Sequence, residues 1–256
     1  MKTLIAILLF CSFGILHSFA QVNSDSTLKP IKKKSNSADR LILNLYDDLW
    51  QKNPSGISVK GYSPGFDVYG MGNIPFGKSD FSLGIGVGFS THNFRSDATP
   101  TDTANGPQTY FSKIPTTVFN VTTGNNYNVT VNNNKLSLTY AEIPIEFRFR
   151  HITQKKKAIK VAIGGNIGYL IGDHTKYKGT YYETGNPYYL SNVGTTTVKF
   201  KTYNISNLNP LEYAATVRIG YGIINLFATY SFSTTFKDNK GPQMFPVSVG
   251  ISVTPF

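Results

Sequence analysis

The stretch Ser137-Leu138-Thr139-Tyr140-Ala141-Glu142-Ile143-Pro144-Ile145-Glu146-Phe147-Arg148-Phe149-Arg150 decides the fold class. Ala141, Ile143, Ile145, Phe147 and Phe149 fall on one face. Glu142, Glu146, Arg148 and Arg150 fall on the other. A period of two belongs to a β-strand, because successive side chains leave opposite faces. A soluble sandwich would show the same alternation, with the apolar face as its core and the charged face in water. One strand does not separate that case from a barrel in lipid.

Its neighbours do. Ile159, Val161, Ile163, Ile167, Tyr169 and Ile171 alternate with Lys160, Ala162, Gly164, Asn166 and Gly168. The same pattern runs through Phe81 to Phe89, where Gly84, Gly86 and Gly88 fill the other face, and through Tyr213 to Tyr221 and Phe245 to Val253. These runs exceed the usual strand of about five or six residues. They reach the roughly 9–11 that a tilted membrane strand needs. Small residues opposite the apolar face suit the crowded interior of a small barrel. In lipid such a sheet must close, because unpaired backbone groups find no water there.

Connection lengths set the strand count. Short links fall at 77–80, 153–157 and 222–223; long ones span about 97–134 and 174–207; 237–243 joins the last pair. Membrane barrels keep short turns in the periplasm and long loops outside. Tracing back from the end gives strands near 244–254, 224–236, 209–222, 158–173, 136–151, 80–95 and 64–76. An odd number would leave the two termini on opposite sides. Residues 40–50 supply the missing strand, with Leu41, Leu43, Leu45 and Leu49 alternating with Asn44, Tyr46 and Asp48. The expectation is all-β: an eight-stranded antiparallel transmembrane β-barrel in the cell outer membrane. The apolar series runs on odd positions to Val253, so the terminal Phe256 is out of phase after Pro255.

The start of the chain fits export. Met1-Lys2 is basic, residues 4–16 are almost wholly apolar, and Ser18-Phe19-Ala20 offers the small residues of a cleavage site, a three-part secretory signal. The apolar run is shorter than the roughly 20 residues of a membrane helix. The expected division is therefore a signal peptide at 1–20, a flexible periplasmic tail at 21–39, and the barrel at 40–256. Cys11, the only cysteine, lies in the signal, so the mature chain has no thiol for a disulfide, a metal or a nucleophile. Only 15% of residues are charged and 14% are aromatic, which suits a β-rich chain with polar turns. The formal charge of +11 could suggest nucleic acid, but no basic helix or RNA-binding signature is present, and exported chains do not meet it routinely. Outer-membrane lipid, with its phosphate-bearing head groups, is the expected contact.

Several of these stretches resemble a known group. Arg40-Leu41-Ile42-Leu43-Asn44-Leu45, Asp48 and Trp50, Pro64-Gly65-Phe66-Asp67-Val68-Tyr69, Pro75-Phe76-Gly77-Lys78-Ser79-Asp80-Phe81-Ser82, Gly84 to Asn93, Tyr140-Ala141-Glu142-Ile143-Pro144-Ile145-Glu146 and Gly220-Tyr221-Gly222 are similar to the PorT-like small outer-membrane barrels of Bacteroidota. The resemblance runs from about residue 40 to the end and omits the tail and the large loops. It implies an outer-membrane barrel and an association with type nine protein secretion, with other outer-membrane or secretion proteins as partners. Its motifs are architectural, and fold alone does not carry activity.

Candidate chemistry is sparse. Ser90 and His92 lie on the same inward side and would need an acid to form a nucleophile–base set, as in lipid A-modifying barrel enzymes. The plainer reading is a polar lumen, and no enzyme activity is expected. Glu142, Glu146, Arg148, Arg150, Lys160, Glu212 and Arg218 lie inward on three neighbouring strands. They would form either a narrow channel or an ion-pair network that fills the lumen; buried charges need partners and eight strands leave a tight bore, which favours the network. Metal ligands at recognisable spacing are absent, and no cofactor is expected. The glycines of 164–168 lack the ending of a phosphate loop. Tyr177, Tyr181, Tyr182, Tyr188 and Tyr189 are candidate loop contacts for protein or glycan, unless the strands simply continue above the membrane there.

Overall fold

The computed structural model describes residues 39–103, 108–120, 124–154, 157–180 and 197–255. The expected signal at 1–20, the tail as far as residue 38, Tyr181, Tyr182, Tyr188, Tyr189 and Phe256 lie outside the described residues.

β1 (Leu41–Gln51), β2 (Pro64–Pro75) and β3 (Phe81–Arg95) open the sheet as a meander. The first long connection then carries two hairpins, β4 (Ala98–Asp102) with β5 (Thr109–Lys113) and β6 (Thr117–Asn120) with β7 (Asn125–Asn128). β8 (Val131–Ile152) and β9 (Ala158–Gly179) form the longest pair, and β10 (Val198–Tyr203) adds to the far end of β9. β11 (Leu211–Tyr221), β12 (Ile224–Ser231) and β13 (Phe245–Val253) complete the chain.

Eight of these strands close on themselves, all antiparallel, in the order β9-β11-β12-β13-β1-β2-β3-β8, with β8 returning to β9. Closure between first and last strands sets Leu45 opposite Ile251 and Asn44 opposite Ser252. The strand expected at 40–50 therefore exists and does the closing.

Alternation decides what faces out. Ile85, Val87, Phe89, Ile163, Ile167, Ile219, Leu226 and Ile251 are all exposed, a surface that water would not tolerate and lipid would. Aromatics mark both rims of this belt. Phe76, Phe81 and Phe147 pack together at the short-turn end, and Tyr230 contacts Phe232 and Phe245 at the other.

β8 and β9 are 22 residues each, about twice what a membrane crossing requires. Their upper halves stand above the belt, and the lumen there changes character. Leu136 and Leu138 point inward and join Trp50, Phe94, Phe111, Phe236 and Met244 in a buried apolar cluster. Phe111 arrives from the β4–β5 hairpin, which folds across the outer end. Thr109 N donates to Lys240 O at 2.8 Å, and its hydroxyl bonds to Ser206 O and Asn207. The outer loops thus form a small hydrophobic core that caps the lumen.

Candidate functional site

Below the cap the inward positions are mostly polar, apart from a small apolar cluster of Ile42, Tyr69 and Met71, and the polar ones fall into two layers. The layer nearer the short turns is built by β8, β9 and β11, which are adjacent and each contribute every second residue. Glu146 Oε2 accepts from Arg148 Nε and from Arg218 Nη2, both at 2.7 Å. Asp39 takes Lys160 Nζ at 2.5 Å and Arg218 Nη1 at 3.4 Å, while Lys160 also donates to Thr254 at 2.7 Å. Arg150 stands opposite Lys160 in the β8–β9 register. The ring of cations fits because β3 offers a glycine below it: a Cβ on Gly84 would come within 2.5 Å of the Arg148 guanidinium.

The outer layer is acidic. Asp67 accepts from Asn44 at 3.0 Å and from the Tyr46 hydroxyl at 2.7 Å; Glu142 accepts from the Tyr69 hydroxyl at 2.6 Å; Glu212 accepts from Ser231 at 2.7 Å. Asp48 accepts from Ser248 at 2.6 Å and from the Asn93 amide at 3.2 Å. Hydroxyls, amides and backbone N–H groups hold these carboxylates, and among the described residues His92 is the only basic side chain bonded to them.

His92 joins the pieces. Its Nδ1 lies 3.0 Å from Asp48 and its Nε2 lies 3.1 Å from Ser90 Oγ. With Nδ1–H on Asp48, Nε2 accepts from the serine, the order of contacts found in a nucleophile–base–acid set. Asp48 is thus the acid that the sequence left unspecified. The surroundings differ from those of a working hydrolase. Ser90, His92 and Asp48 are 2%, 5% and 3% exposed. Tyr46 OH also reaches Ser90 Oγ at 3.1 Å. The adjoining cavity, lined by Trp50, His92, Tyr140 and Glu212, measures ≈ 10 Å³, room for about one water.

A metal is the other chemistry this layer can hold. Ligating atoms of His92, Glu142 and Glu212 lie within 4.8 Å of one another. One imidazole and two carboxylates suit zinc or manganese. Sequence spacing could not reveal this set, because it is assembled from β3, β8 and β11. In the present arrangement Ser90 bonds His92 Nε2, so a cation would have to displace the serine there, while Tyr69 bonds one oxygen of Glu142 and leaves the other.

Of the seven charges expected to form one network, Glu146, Arg148, Lys160 and Arg218 are brought together by hydrogen bonds and ion pairs. Glu142 and Glu212 belong instead to the acidic layer, where Glu142 meets Tyr69 and Glu212 meets Ser231 and His92. Asp39, Asp48, Asp67, Tyr46 and Tyr69 were not singled out from sequence; all but Asp39 sit at inward positions of β1 and β2, and the period of two was the signal. Tyr177 corrects the expectation of an exposed loop contact. It is 2% exposed, because an extra residue in β9 near Ile171 flips the strand's parity and turns odd positions inward above it.

A closed antiparallel sheet with an apolar exterior, two aromatic rims and a polar lumen defines a transmembrane β-barrel. Residues 22–240 match the family described as outer membrane protein beta-barrel domain. The chain belongs to this family, and its place is the outer membrane. No curated protein and no solved structure matches it.

Proposed function

We propose that this barrel is a non-enzymatic, occluded component of the outer membrane with a structural or accessory role. The observation that carries the proposal is the filling of the lumen at three levels: the ion-pair layer, the acidic layer around His92 and the apolar cap. Among the described residues the space beside His92 is water-sized, too small for an acyl chain. The resemblance to PorT-like barrels gives the accessory role its direction, toward type nine protein secretion, with other outer-membrane or secretion proteins as partners. The test is tagged purification from the native outer membrane with identification of co-purifying proteins, together with planar-bilayer recordings of the purified barrel. Secretion components at near-stoichiometric yield and no steady conductance are expected. Recovery without partners removes the accessory role, and a large steady conductance removes the occluded lumen.

The ordered contacts of Ser90, His92 and Asp48 favour a second reading, a lipid A-modifying enzyme. It requires that lipid A be deacylated or acylated by the purified protein and that S90A and H92A abolish this. A serine-directed fluorophosphonate that fails to label Ser90 in the folded barrel removes this reading.

A further inference from the structure

The upper outward face of the sheet carries a feature that the lumen does not explain. Register sets Arg95 opposite Lys135, Lys135 opposite Lys176, and Lys176 opposite Lys201. Four cations therefore run side by side across β3, β8, β9 and β10. A second cationic pair, Lys178 opposite Lys199, lies one step further out. Directly opposed like charges destabilise a sheet. Among the described residues no carboxylate forms an ion pair with any of the six. Among the described residues Lys135 bonds only the neutral Asn93 Oδ1, at 2.6 Å. Burial first, then Lys176, Arg95 and Lys201, hold its ammonium below the ordinary lysine range.

The row faces outward by construction. On β3 and β8 the odd positions look to lipid, which carries Phe89 and Ala141 up to Arg95 and Lys135. On β9 the extra residue near Ile171 shifts the phase, so that Lys176 and Lys178 look out where Thr175 and Tyr177 look in. The same irregularity that buries Tyr177 brings these lysines into line with the row.

Position narrows the counter-charge. The last exposed apolar residue on β9 is Ile171, at 55% exposure. Lys176 follows five residues later, about 16 Å along the strand and roughly 12 Å along the membrane normal for a tilted strand. A lysine stem bends back along apolar surface and brings its ammonium nearer the belt. That level, on the side of the long loops, is where the outer leaflet presents the phosphates of its glycolipid.

We propose that Arg95, Lys135, Lys176 and Lys201 form a docking surface for the phosphates of lipid A on the outward face of the barrel. Lipid phosphates supply an anion that no described carboxylate provides, and the opposed lysines then share counter-charge instead of repelling. This proposal rests on the outer-membrane location alone, so it stands or falls independently of any secretion role or activity.

The test uses the full mature chain, folded in phosphatidylcholine vesicles doped with lipid A, with retained lipid A measured per barrel. The phosphorylated lipid should be retained in preference to its dephosphorylated form, and retention should fall steeply with salt. K135Q/K176Q/K201Q should weaken retention about a hundredfold, taking roughly fivefold per lysine at an anionic surface. K78Q, at the periplasmic turn, should match the parent. Removing opposed charges leaves the fold intact, which heat-modifiable gel mobility checks. Equal retention of dephosphorylated lipid A, equal competition by phosphatidylglycerol, salt-independent binding by the parent chain, or a triple variant that binds like the parent overturns the proposal.

Discussion

Glu146→Gln is the substitution that most directly tests the basic layer of the lumen. Glu146 Oε2 is the acceptor shared by Arg148 and Arg218, both at 2.7 Å, and the three side chains are 7% exposed or less. Asp39 is the other acid of this layer, committed to Lys160 at 2.5 Å and reaching Arg218 only at 3.4 Å. Arg148 Nη2 and Arg218 Nε already lack acceptors among the described residues. The substitution leaves Arg148, Lys160 and Arg218 with one carboxylate. Removing one partner of a buried pair costs about 3–5 kcal/mol. The amide oxygen of glutamine still accepts a bond, which returns about 1 kcal/mol. The net loss is about 3 kcal/mol, and with a urea slope of roughly 2–3 kcal/mol/M the midpoint falls by roughly 1–1.5 M. The assay is urea unfolding of the vesicle-inserted barrel, read by heat-modifiable mobility. The double variant E146Q/R218M should recover half the loss or more, because it removes the stranded charge. A cost under about 1 kcal/mol for E146Q, or a double variant as poor as the sum of its parts, would refute the idea that these charges hold one another in place.

Three further outcomes follow from the same geometry. Phe236→Ala removes a fully buried ring that meets Phe111 edge-on at 6.0 Å, and should open the cap by about 3 kcal/mol. Hydrogen exchange in β4 and β5 should then rise about a hundredfold while the barrel strands stay protected; uniform loosening would show that cap and barrel are not separable. Closure predicts that L45C/I251C oxidises readily, since Leu45 and Ile251 are direct partners, whereas L45C/V247C, displaced along the strand, does not; equal oxidation would deny the β1–β13 register. Trp50, the sole tryptophan, is 6% exposed and donates to Asn93 O at 3.0 Å, so its emission should be blue-shifted and resist iodide; ready quenching would place the cap elsewhere.

The barrel was legible because alternation and loop length are local properties. Ile143, Ile145 and Phe147 against Glu142, Glu146 and Arg148 name the faces, and parity of the connections demands a strand at 40–50. The lumen was legible only as a set of inward residues. Which of them meet depends on register across the barrel, and that is why Glu142 could not be told apart from Glu146, four residues away on the same face. The extra residue near Ile171 is a pairing irregularity between two strands and leaves no mark in composition, so Tyr177 and Lys176 were assigned to a loop without a side. Asp39 was legible least of all. It precedes β1 in a polar run, and only the cations facing it across the lumen reveal its role.

Two unequal layers in one narrow lumen bear on how it stays filled. The outer layer holds Asp48, Asp67, Glu142 and Glu212 around a single histidine, and the inner layer holds Arg148, Lys160 and Arg218 against Asp39 and Glu146. Neither is balanced alone, and each has the sign that the other lacks. Charge of one sign in a low-dielectric lumen is costly unless the opposite sign lies near. Within the acidic layer Tyr69 donates to Glu142 and receives the Asn166 amide at 3.3 Å, and Gly168 leaves no side chain between Glu142 and Glu212. Beyond the layers the apolar cap seals the outer end, so the charges are shielded from bulk water where they are most acidic. Layers and cap stack along one lumen, and the exposed apolar side chains face lipid.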